Sequence, residues 1–201
     1  MKTFPDNVPM EKVALSLATA LGARDLHTRA HSDRVVQLSI ELGLHIELSE
    51  EELEMLALGA RFHDLGKIGI PDRVLRKPAA FEADEWACMK QHVVIGEQIV
   101  LAINGKNSPG IARTVRHHHE HFDGSGYPDG LSGTEIPLFS RIISLADSYD
   151  AMIETRAYHK ARRHDEVMAV LNSEAGGKHD PDLLYAFSLT IEKSSMRGTN
   201  A

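Results

Sequence analysis

The chain has 201 residues, 42% of them hydrophobic and 25% charged, with 22 Lys and Arg against 29 Asp and Glu for a formal net charge of −7. This composition fits one globular domain, and the excess of acid argues against a broad electrostatic contact with duplex DNA. No apolar signal core opens the chain, no apolar run approaches the length of a membrane span, and Cys88 has no partner for a disulfide. The sequence therefore predicts a cytoplasmic protein without membrane contact.

Helical periodicity dominates the first third of the chain. Apolar residues recur at helical spacing from about residue 9 to residue 44, and Gly22 either divides this stretch into two helices or bends it. Ser49 followed by Glu52 is typical of a capping box and predicts a helix that ends near Leu65. Gly and Pro residues then interrupt the pattern.

The rest of the chain also favours helices, and no segment alternates convincingly as a β-strand. Predicted helices lie at about residues 82–103, 110–121, 138–154 and 181–193, with a loop rich in Gly and Pro at 123–137. We predict an all-α fold, a single helical-bundle domain over residues 1–193, because the candidate site residues are spread over nearly the whole length. Residues 194–201 are predicted to form a disordered tail.

Twelve histidines are the unusual feature of the composition, and most of them cluster beside acidic residues, as in metal sites. The clearest cluster is His63-Asp64-Leu65-Gly66-Lys67. Neighbouring helical residues diverge by about 100°, so His63 and Asp64 can serve one centre if it holds a pair of metals bridged by the carboxylate. Lys67, three residues after Asp64, is placed to meet a phosphate oxygen there. On these five residues alone, an ordinary polar helix end is an equal alternative.

Asp147 and His31 are weaker candidates when each is taken singly. Asp147 lies in a mostly apolar helical segment, where burial of a lone acid is costly, so it is either a ligand or an exposed acid on the helix surface. His31 is either a ligand or a core histidine with satisfied hydrogen bonds. The order of these residues along the chain is more informative than any of them alone.

The ordered series His31, His63-Asp64 and Asp147 resembles the metal ligands of the HD phosphohydrolase superfamily. Three segments are similar to its HD-GYP branch, namely residues 24–35, residues 63–71, and His118-His119-Glu120 followed by Asp123-Gly124-Ser125-Gly126-Tyr127-Pro128. The similarity extends over about residues 12–190, and the ordered series is far more specific than one His-Asp pair.

This resemblance implies a helical bundle around a multinuclear metal centre and an enzyme that hydrolyses cyclic di-GMP to the linear dinucleotide, with GMP as the product of a second cut. It implies two divalent metal ions, iron or manganese, held by His31, His63, Asp64, His92, His118, His119 and Asp147. Asp64 and Lys67 are the implied catalytic residues, and the implied substrate contacts are Lys67, Tyr127, Arg156 and Lys160. Such a ligand set, rich in nitrogen and free of thiolate, suits Fe, Mn or Zn better than Mg.

Two positions depart from the pattern of the branch. Some members carry a glutamate, one turn before the first motif histidine, that helps to bind a third metal. This chain has His27 there, so we favour two metals and treat His27 either as a ligand or as a partly exposed helix residue. Lys160 stands where the branch commonly has arginine, and lysine lacks the bidentate fork that recognises guanine.

Three other functions fit parts of the pattern. They are an HD phosphohydrolase acting on another nucleotide or a mixed cyclic dinucleotide, a catalytically weak module that senses a cyclic dinucleotide, and a hemerythrin-like di-iron bundle. The expected partners are a cyclic dinucleotide and either a second copy of the chain, through an N-terminal helix that contains Leu15, Leu17 and Leu21, or a sensor or GGDEF-type signalling protein. The same leucines are equally suited to the chain's own core, and the sequence fits a stand-alone enzyme or a fragment.

Overall fold

The computed structural model describes residues 9–24, 26–154 and 162–198, and for residues 11, 24 and 26–29 it describes the backbone alone. Within these ranges the chain is helical and forms no β-strand, which confirms the predicted all-α class. The helices are α1 (Met10–Arg24), α2 (Leu26–His45), α3 (Glu50–Phe62), α4 (Asp72–Leu75), α5 (Ala83–Lys90), α6 (His92–Ile103), α7 (Ser108–His117), α8 (Leu138–Ile153), α9 (His164–Ser173) and α10 (Pro181–Ile191), with 3₁₀ helices at Leu65–Gly69 and Gly133–Glu135.

Two predicted helix starts are confirmed by their caps. Ser49 Oγ accepts a hydrogen bond from the Glu52 N–H at 3.4 Å, and the Glu52 carboxylate accepts one from the Ser49 N–H at 2.9 Å. The Asp180 carboxylate accepts from the Asp182 N–H at 2.9 Å at the start of α10, with Pro181 in the first turn. Both caps satisfy N–H groups that have no partner inside the helix, as the sequence pattern predicts.

Several helix boundaries differ from the prediction. The helix expected over residues 82–103 is two helices, because the Gln91 N–H donates to the Cys88 carbonyl at 3.1 Å and α6 begins at His92. α1 continues through Gly22. α7 ends at His117, before the residues that follow it in the histidine run, and α9 lies in a segment for which we predicted no element.

Two hydrophobic clusters hold the helices together, and α3 contributes to both. Leu56 and Ala60 of α3 pack in a cluster with buried residues of α2, α8, α9 and α10. Leu58 and Phe62 pack in a second cluster with residues of α1, α6 and α7. Full burial of a side chain such as Phe62 stabilises the fold by about 2–3 kcal/mol. The end of α3, where His63 and Asp64 follow, is therefore held between the two halves of the bundle.

The C-terminal segment beyond α10 contacts the bundle as far as the structure describes it. The Gly198 N–H donates to the Tyr149 hydroxyl at 3.0 Å, and Arg197 pairs with Glu192 at 2.9 Å. Residues 199–201 of the predicted tail lie outside the described residues. The domain boundary at residue 193 stays a prediction.

The helices of the described ranges differ from membrane-spanning helices. None of these helices combines the length and the apolar character that a bilayer crossing needs.

The imidazole of His179, before α10, is buried without a hydrogen bond. The residue is 2% exposed, and neither ring nitrogen has a hydrogen-bond partner, although Nε2 lies 3.3 Å from a Glu174 carboxylate oxygen. Burial and, to a smaller extent, the nearby Lys178 ammonium lower the pKa of His179 to about 3. The imidazole is therefore neutral in the folded protein at every pH above about 3.

The buried neutral state of His179 predicts acid sensitivity. An unfolded histidine takes up a proton below about pH 6.5. The unfolded state therefore binds more protons as the pH falls from 6.5 towards 3, and the free energy of unfolding decreases by up to about 1.4 kcal/mol per pH unit. We expect His179→Leu to remove this contribution, so that urea titrations in chelator between pH 6 and pH 4 show a shallower loss of stability. The exposed His45, replaced by Gln, is the control. A pH dependence in His179→Leu that runs parallel to the wild type would contradict the prediction.

Candidate metal centre

Five imidazoles and two carboxylates, supplied by five segments of the chain, meet at one site in the bundle. The structure brings together all seven predicted ligands, which are His31 of α2, His63 and Asp64 after α3, His92 at the start of α6, His118 and His119 after α7, and Asp147 of α8. Ring contacts join them: the ring centroids of His31 and His63 are 5.5 Å apart, those of His63 and His118 5.3 Å, and those of His92 and His119 5.1 Å.

Three of these imidazoles are held in one tautomer by backbone carbonyls. The Nδ1 atoms of His63, His92 and His118 lie 2.7, 2.9 and 2.7 Å from carbonyl oxygens three residues earlier in the chain. A carbonyl only accepts hydrogen bonds, so each Nδ1 carries the proton and each Nε2 carries a free lone pair. These Nε2 atoms are buried and have no hydrogen-bond partner among the described residues. Orphaned lone pairs of this kind, oriented through the other ring nitrogen, suit metal ligation.

Asp64 lies between the imidazoles and faces two of them. One carboxylate oxygen is 3.5 Å from His63 Nε2, and the other is 3.7 Å from His92 Nε2. A carboxylate oxygen and an imidazole lone pair at this distance repel each other unless a cation lies between them. Burial alone would raise the pKa of Asp64, but the charges of Lys67 and the nearby histidines hold it well below its usual range. The residues present therefore fit the binding of metal ions, and Asp64 would be one of the residues that hold them.

Six of the seven predicted ligands fall into two groups of three. The potential ligand atoms of His31, His63 and Asp64 lie within 4.8 Å of one another, and so do those of His92, His118 and His119. Burial lowers the pKa of His92 to about 4 and that of His118 to about 3, and neighbouring positive charge contributes in both cases. Both imidazoles are thus neutral at neutral pH, which is the form that binds a cation. The two triads, the first of which includes Asp64, offer two neighbouring sets of donor atoms for a cation.

His31 is oriented by two acids of α8. Its Nδ1 lies 2.6 Å from an Asp150 oxygen, and its Nε2 lies 3.1 Å from Asp147 Oδ1. Burial opposes the charged form, but hydrogen bonds to Asp147 and Asp150 raise the pKa of His31 to about 9. Asp150 is fully buried and also accepts from Arg34 Nε at 2.6 Å. Without a cation nearby, His31 is a protonated partner of Asp147, and it must release its Nε2 proton to act as a ligand.

Asp150 and Arg34 were not among the predicted site residues, although Arg34 lies in the segment 24–35 and Asp150 lies in the wider region of similarity to the HD-GYP branch. Asp150 follows Asp147 by three residues, so the two side chains lie on the same side of α8. That spacing was the available signal, and the contacts with His31 Nδ1 and Arg34 show that Asp150 supports a candidate ligand. A carboxylate that accepts a hydrogen bond from the outer nitrogen of a ligating imidazole fixes the orientation of the ring.

Gly66 permits the close approach that places Asp64 beside His92. A Cβ atom on Gly66 would lie 1.8 Å from the His92 carbonyl oxygen and 2.5 Å from the Gly96 nitrogen, both of them backbone atoms of α6. Only glycine fits between them. The 3₁₀ turn after Asp64 therefore packs directly on the first turns of α6, and His92 projects from the first residue of that helix.

Lys67 contacts the centre through Asp64. Its Nζ lies 2.6 Å from Asp64 Oδ2, and its side chain is 25% exposed against 5% for that of Asp64. The ammonium group thus connects the buried carboxylate with solvent. This is the position from which a cation can also reach a group that arrives from outside.

Tyr127 covers His119 from the glycine-rich loop. The two rings stack with centroids 5.0 Å apart, and the Tyr127 N–H donates to the His119 carbonyl at 3.1 Å. Burial raises the pKa of the Tyr127 hydroxyl, and the charges of Asp64 and Asp147 add to this shift. A Cβ on Gly126 would lie 2.2 Å from the His121 nitrogen, so a glycine is required for the loop to turn back on itself.

A third group of potential ligands, His117, Glu120 and Asp129, holds this loop in place. Asp129 accepts hydrogen bonds from Arg116 Nε at 2.7 Å and from Arg116 Nη2 at 2.8 Å, and it lies 2.9 Å from His117 Nε2. One Glu120 oxygen accepts from the N–H groups of Asp129 and Gly130. The arginine compensates the Asp129 charge, so these contacts tie the loop to α7.

The structure does not describe three of the candidate side chains. Arg156 and Lys160, the predicted substrate contacts after α8, lie outside the described residues, and so does the side chain of His27. Their roles stay predictions.

The chain resembles known proteins over most of its length. Residues 16–183 match the family model described as HD domain. A cyclic di-GMP phosphodiesterase of Thermotoga maritima is 39% identical over 173 residues, which are 85% of this chain and 46% of that protein. The 3'3'-cGAMP-specific phosphodiesterase 2 of Vibrio cholerae is 34% identical over 174 residues, which are 87% of this chain and 33% of that protein.

The fold also has a counterpart among solved structures. The crystal structure of a cyclic GMP-AMP specific phosphodiesterase of Vibrio cholerae superimposes with a TM-score of 0.72 at 21% identity, and the match covers 93% of this chain and 50% of that one. The chain spans less than half the length of the two sequence relatives. The family model covers most of the chain, and the His-Asp pair and the Gly-Tyr-Pro loop lie together at the metal centre. The chain therefore belongs to the HD domain family, in its HD-GYP branch.

Proposed function

We propose that this chain is a metal-dependent phosphodiesterase that hydrolyses cyclic di-GMP to the linear dinucleotide, with GMP as the product of a second cut. The observation that carries the proposal is the Asp64 carboxylate, whose two oxygens face His63 Nε2 and His92 Nε2 in two separate imidazole groups. The name of the Thermotoga relative supports the substrate. No Ser-His-Asp arrangement for a covalent route was found in the sequence.

The proposed cofactors are two divalent ions, iron or manganese. Five imidazoles and two carboxylates, without a thiolate, form a ligand set that suits these metals better than Mg²⁺, which prefers oxygen ligands. Metals bound here would supply a water of lowered pKa and positive charge at the oxygens of the phosphodiester. A third ion near His27 is not part of the proposal.

The side chains around the metals have distinct proposed roles. Asp64 is the bridging ligand, and Asp150 positions His31 through the Nδ1 contact. Lys67 donates a hydrogen bond to a non-bridging phosphate oxygen, where negative charge increases during the reaction. Tyr127 contacts the nucleotide beside His119, and Arg156 and Lys160 contact a phosphate or a guanine edge.

A mixed cyclic dinucleotide is the second candidate substrate. The Vibrio relative that is 34% identical is named for 3'3'-cGAMP, and Lys160 offers a guanine edge fewer hydrogen bonds than arginine would. Both substrates carry the same phosphodiester, so the metal centre serves either. Discrimination between them depends on the base contacts.

The proposal also includes a location, a homodimer and a signalling partner. A cytoplasmic location is supported by the single thiol, Cys88, which is free. A homodimer through α1 is supported by Leu15, which is 48% exposed, whereas Leu21 is buried in the chain's own core. A sensor or GGDEF-type partner follows from the family resemblance.

The experiment is anaerobic hydrolysis by protein loaded with iron or with manganese, with the products separated by chromatography. Cyclic di-GMP, 3'3'-cGAMP and cyclic di-AMP are offered at equal concentration, and metal content is measured on the same samples. Preferential release of the linear dinucleotide from cyclic di-GMP supports the proposal. Preferential hydrolysis of 3'3'-cGAMP would instead assign that nucleotide as the substrate. Bound metal and bound nucleotide without turnover would overturn the enzymatic function in favour of a sensing module.

A further inference from the structure

An exposed tryptophan lies beside the loop that covers the metal centre. Trp86 of α5 is 44% exposed, which is unusual for so large an apolar side chain. Its ring stacks on Phe81 with centroids 6.0 Å apart and an interplanar angle of 20°, and it meets Tyr127 edge to face at 6.1 Å. We call Phe81, Trp86 and Tyr127 the aromatic platform.

The aromatic platform is continuous with the metal centre. The Tyr127 ring that contacts Trp86 on one side stacks on His119 on the other, and His119 contacts His92 and His118. Trp86 is thus two ring contacts away from a candidate ligand. A molecule that is bound at the metals through one end can reach the tryptophan with the other.

Trp86 is held on rigid supports. α5 begins with a capping box between Glu82 and Glu85, and the Glu85 carboxylate pairs with Lys77 at 2.5 Å. Phe81 packs against a small hydrophobic cluster that contains Ile70 and Met89. These contacts fix the position of the indole, so its exposure is not the result of a loose loop end.

A cation lies against the same platform. Lys90, in the last turn of α5, places its Nζ 5.7 Å from the centroid of the Tyr127 ring. Within the described part of the chain, no carboxylate lies within ion-pair distance of Lys90. An aromatic surface with an uncompensated positive charge matches a ligand that combines a flat ring system with a phosphate.

We propose that the aromatic platform binds one purine base of the cyclic dinucleotide, which stacks on Trp86 while a phosphate lies at the metal centre and Lys90 faces the phosphate backbone. This inference rests on the proposed function and deepens it, because it extends the nucleotide-binding surface from Tyr127 to Trp86 and Lys90, which lie outside the Gly-Tyr-Pro loop. Every purine presents a flat face, so stacking on Trp86 strengthens binding of guanine and adenine alike. Selection between them is left to groups that read the base edge.

Fluorescence provides a direct test, because Trp86 is the only tryptophan in the chain. Manganese-loaded protein is titrated with GMP, which has a purine and a phosphate but no phosphodiester to hydrolyse. Ribose 5-phosphate, which lacks the base, is the matched control ligand. We expect saturable quenching of the emission by GMP, corrected for nucleotide absorption, and no saturable change with ribose 5-phosphate. Equal responses to both ligands, or to neither, would overturn the proposal.

Variants extend the test to the cyclic substrate. Trp86→Leu keeps an apolar side chain but removes the aromatic face, and we expect about a tenfold rise in KM with kcat close to the wild-type value. The KM of Trp86→Phe is expected to lie between the values of the wild type and Trp86→Leu. The control is Tyr185→Leu, which removes an aromatic side chain that is 69% exposed on α10. The exposure of Trp86 predicts that its variants fold, and circular dichroism checks this.

The outcomes separate this inference from the proposed function. Hydrolysis of a cyclic dinucleotide with unchanged KM in Trp86→Leu and no quenching by GMP contradicts the stacking role alone. Saturable quenching by GMP without hydrolysis of any cyclic dinucleotide contradicts the phosphodiesterase and supports a purine-binding surface. A variant that lowers kcat and leaves KM unchanged also overturns the proposal, since it would assign Trp86 to the support of the metal centre.

Discussion

Replacement of Asp64 by Ala is expected to abolish hydrolysis, with a loss of at least about three orders of magnitude in kcat. The reason is geometric: the two Asp64 oxygens face His63 Nε2 and His92 Nε2, which belong to the two separate imidazole groups. Without Asp64, Asp147 is the one carboxylate left among the seven predicted ligands, so less negative charge is available to hold two cations close together. Loss of several kcal/mol of charge stabilisation at the phosphate corresponds to a rate effect of about this size.

The measurement combines metal content, activity and thermal unfolding. Metal that binds only the folded state raises the unfolding temperature of the wild type, and Asp64→Ala is expected to show a smaller shift on addition of manganese. Asp64→Asn keeps the size of the side chain but removes its charge. It therefore separates the effect of the lost charge from the effect of the cavity that Asp64→Ala leaves. The control is Glu51→Ala, an exposed acid in the first turn of α3. Full metal content and near wild-type turnover in Asp64→Asn would show that Asp64 does not bridge the metals.

Replacement of Lys67 by Met is expected to lower kcat by about a hundredfold while both metals stay bound. Lys67 Nζ lies 2.6 Å from Asp64 Oδ2, but its side chain is partly exposed, whereas that of Asp64 is buried. Because metal ions would take over compensation of the Asp64 charge, the ammonium group is free to donate to a phosphate oxygen. Removal of one such preorganised donor typically costs about a hundredfold to a thousandfold in kcat.

Two readouts distinguish this role from a purely structural one. If Lys67 acts on the reacting phosphate, Lys67→Met changes kcat with little effect on metal content, and Lys67→Arg restores part of the rate because it keeps a donor. If Lys67 only neutralises Asp64, the Met variant lowers the thermal stability of the metal-free protein instead, and its turnover with both metals bound stays close to the wild-type value. Lys12→Met, on α1, is the matched control, since Lys12 was not predicted to contribute to the site.

The sequence by itself determined the fold class and the set of ligand candidates. Helical periodicity and the caps at Ser49 and Asp180 depend on residues close together in the chain, so they can be recognised without tertiary information. The ligand candidates depended on the order of short motifs over most of the chain. His31 or Asp147 alone was weak evidence for a metal site. The ordered series of His31, His63-Asp64 and Asp147 made them candidates for one centre.

The tertiary structure decided how these residues are arranged and what surrounds them. The division of the ligands into two triads and the support of His31 by Asp150 depend on distances between segments far apart in sequence. The tautomers of His63, His92 and His118 depend on carbonyls only three residues earlier, but the side chains that their Nε2 atoms face come from other segments. The position of Trp86 against Tyr127 joins two segments that share no sequence motif. The physical reason is that local sequence determines which backbone turns form, whereas the approach of side chains from different helices is decided by how the bundle packs, as the fit of Gly66 against α6 illustrates.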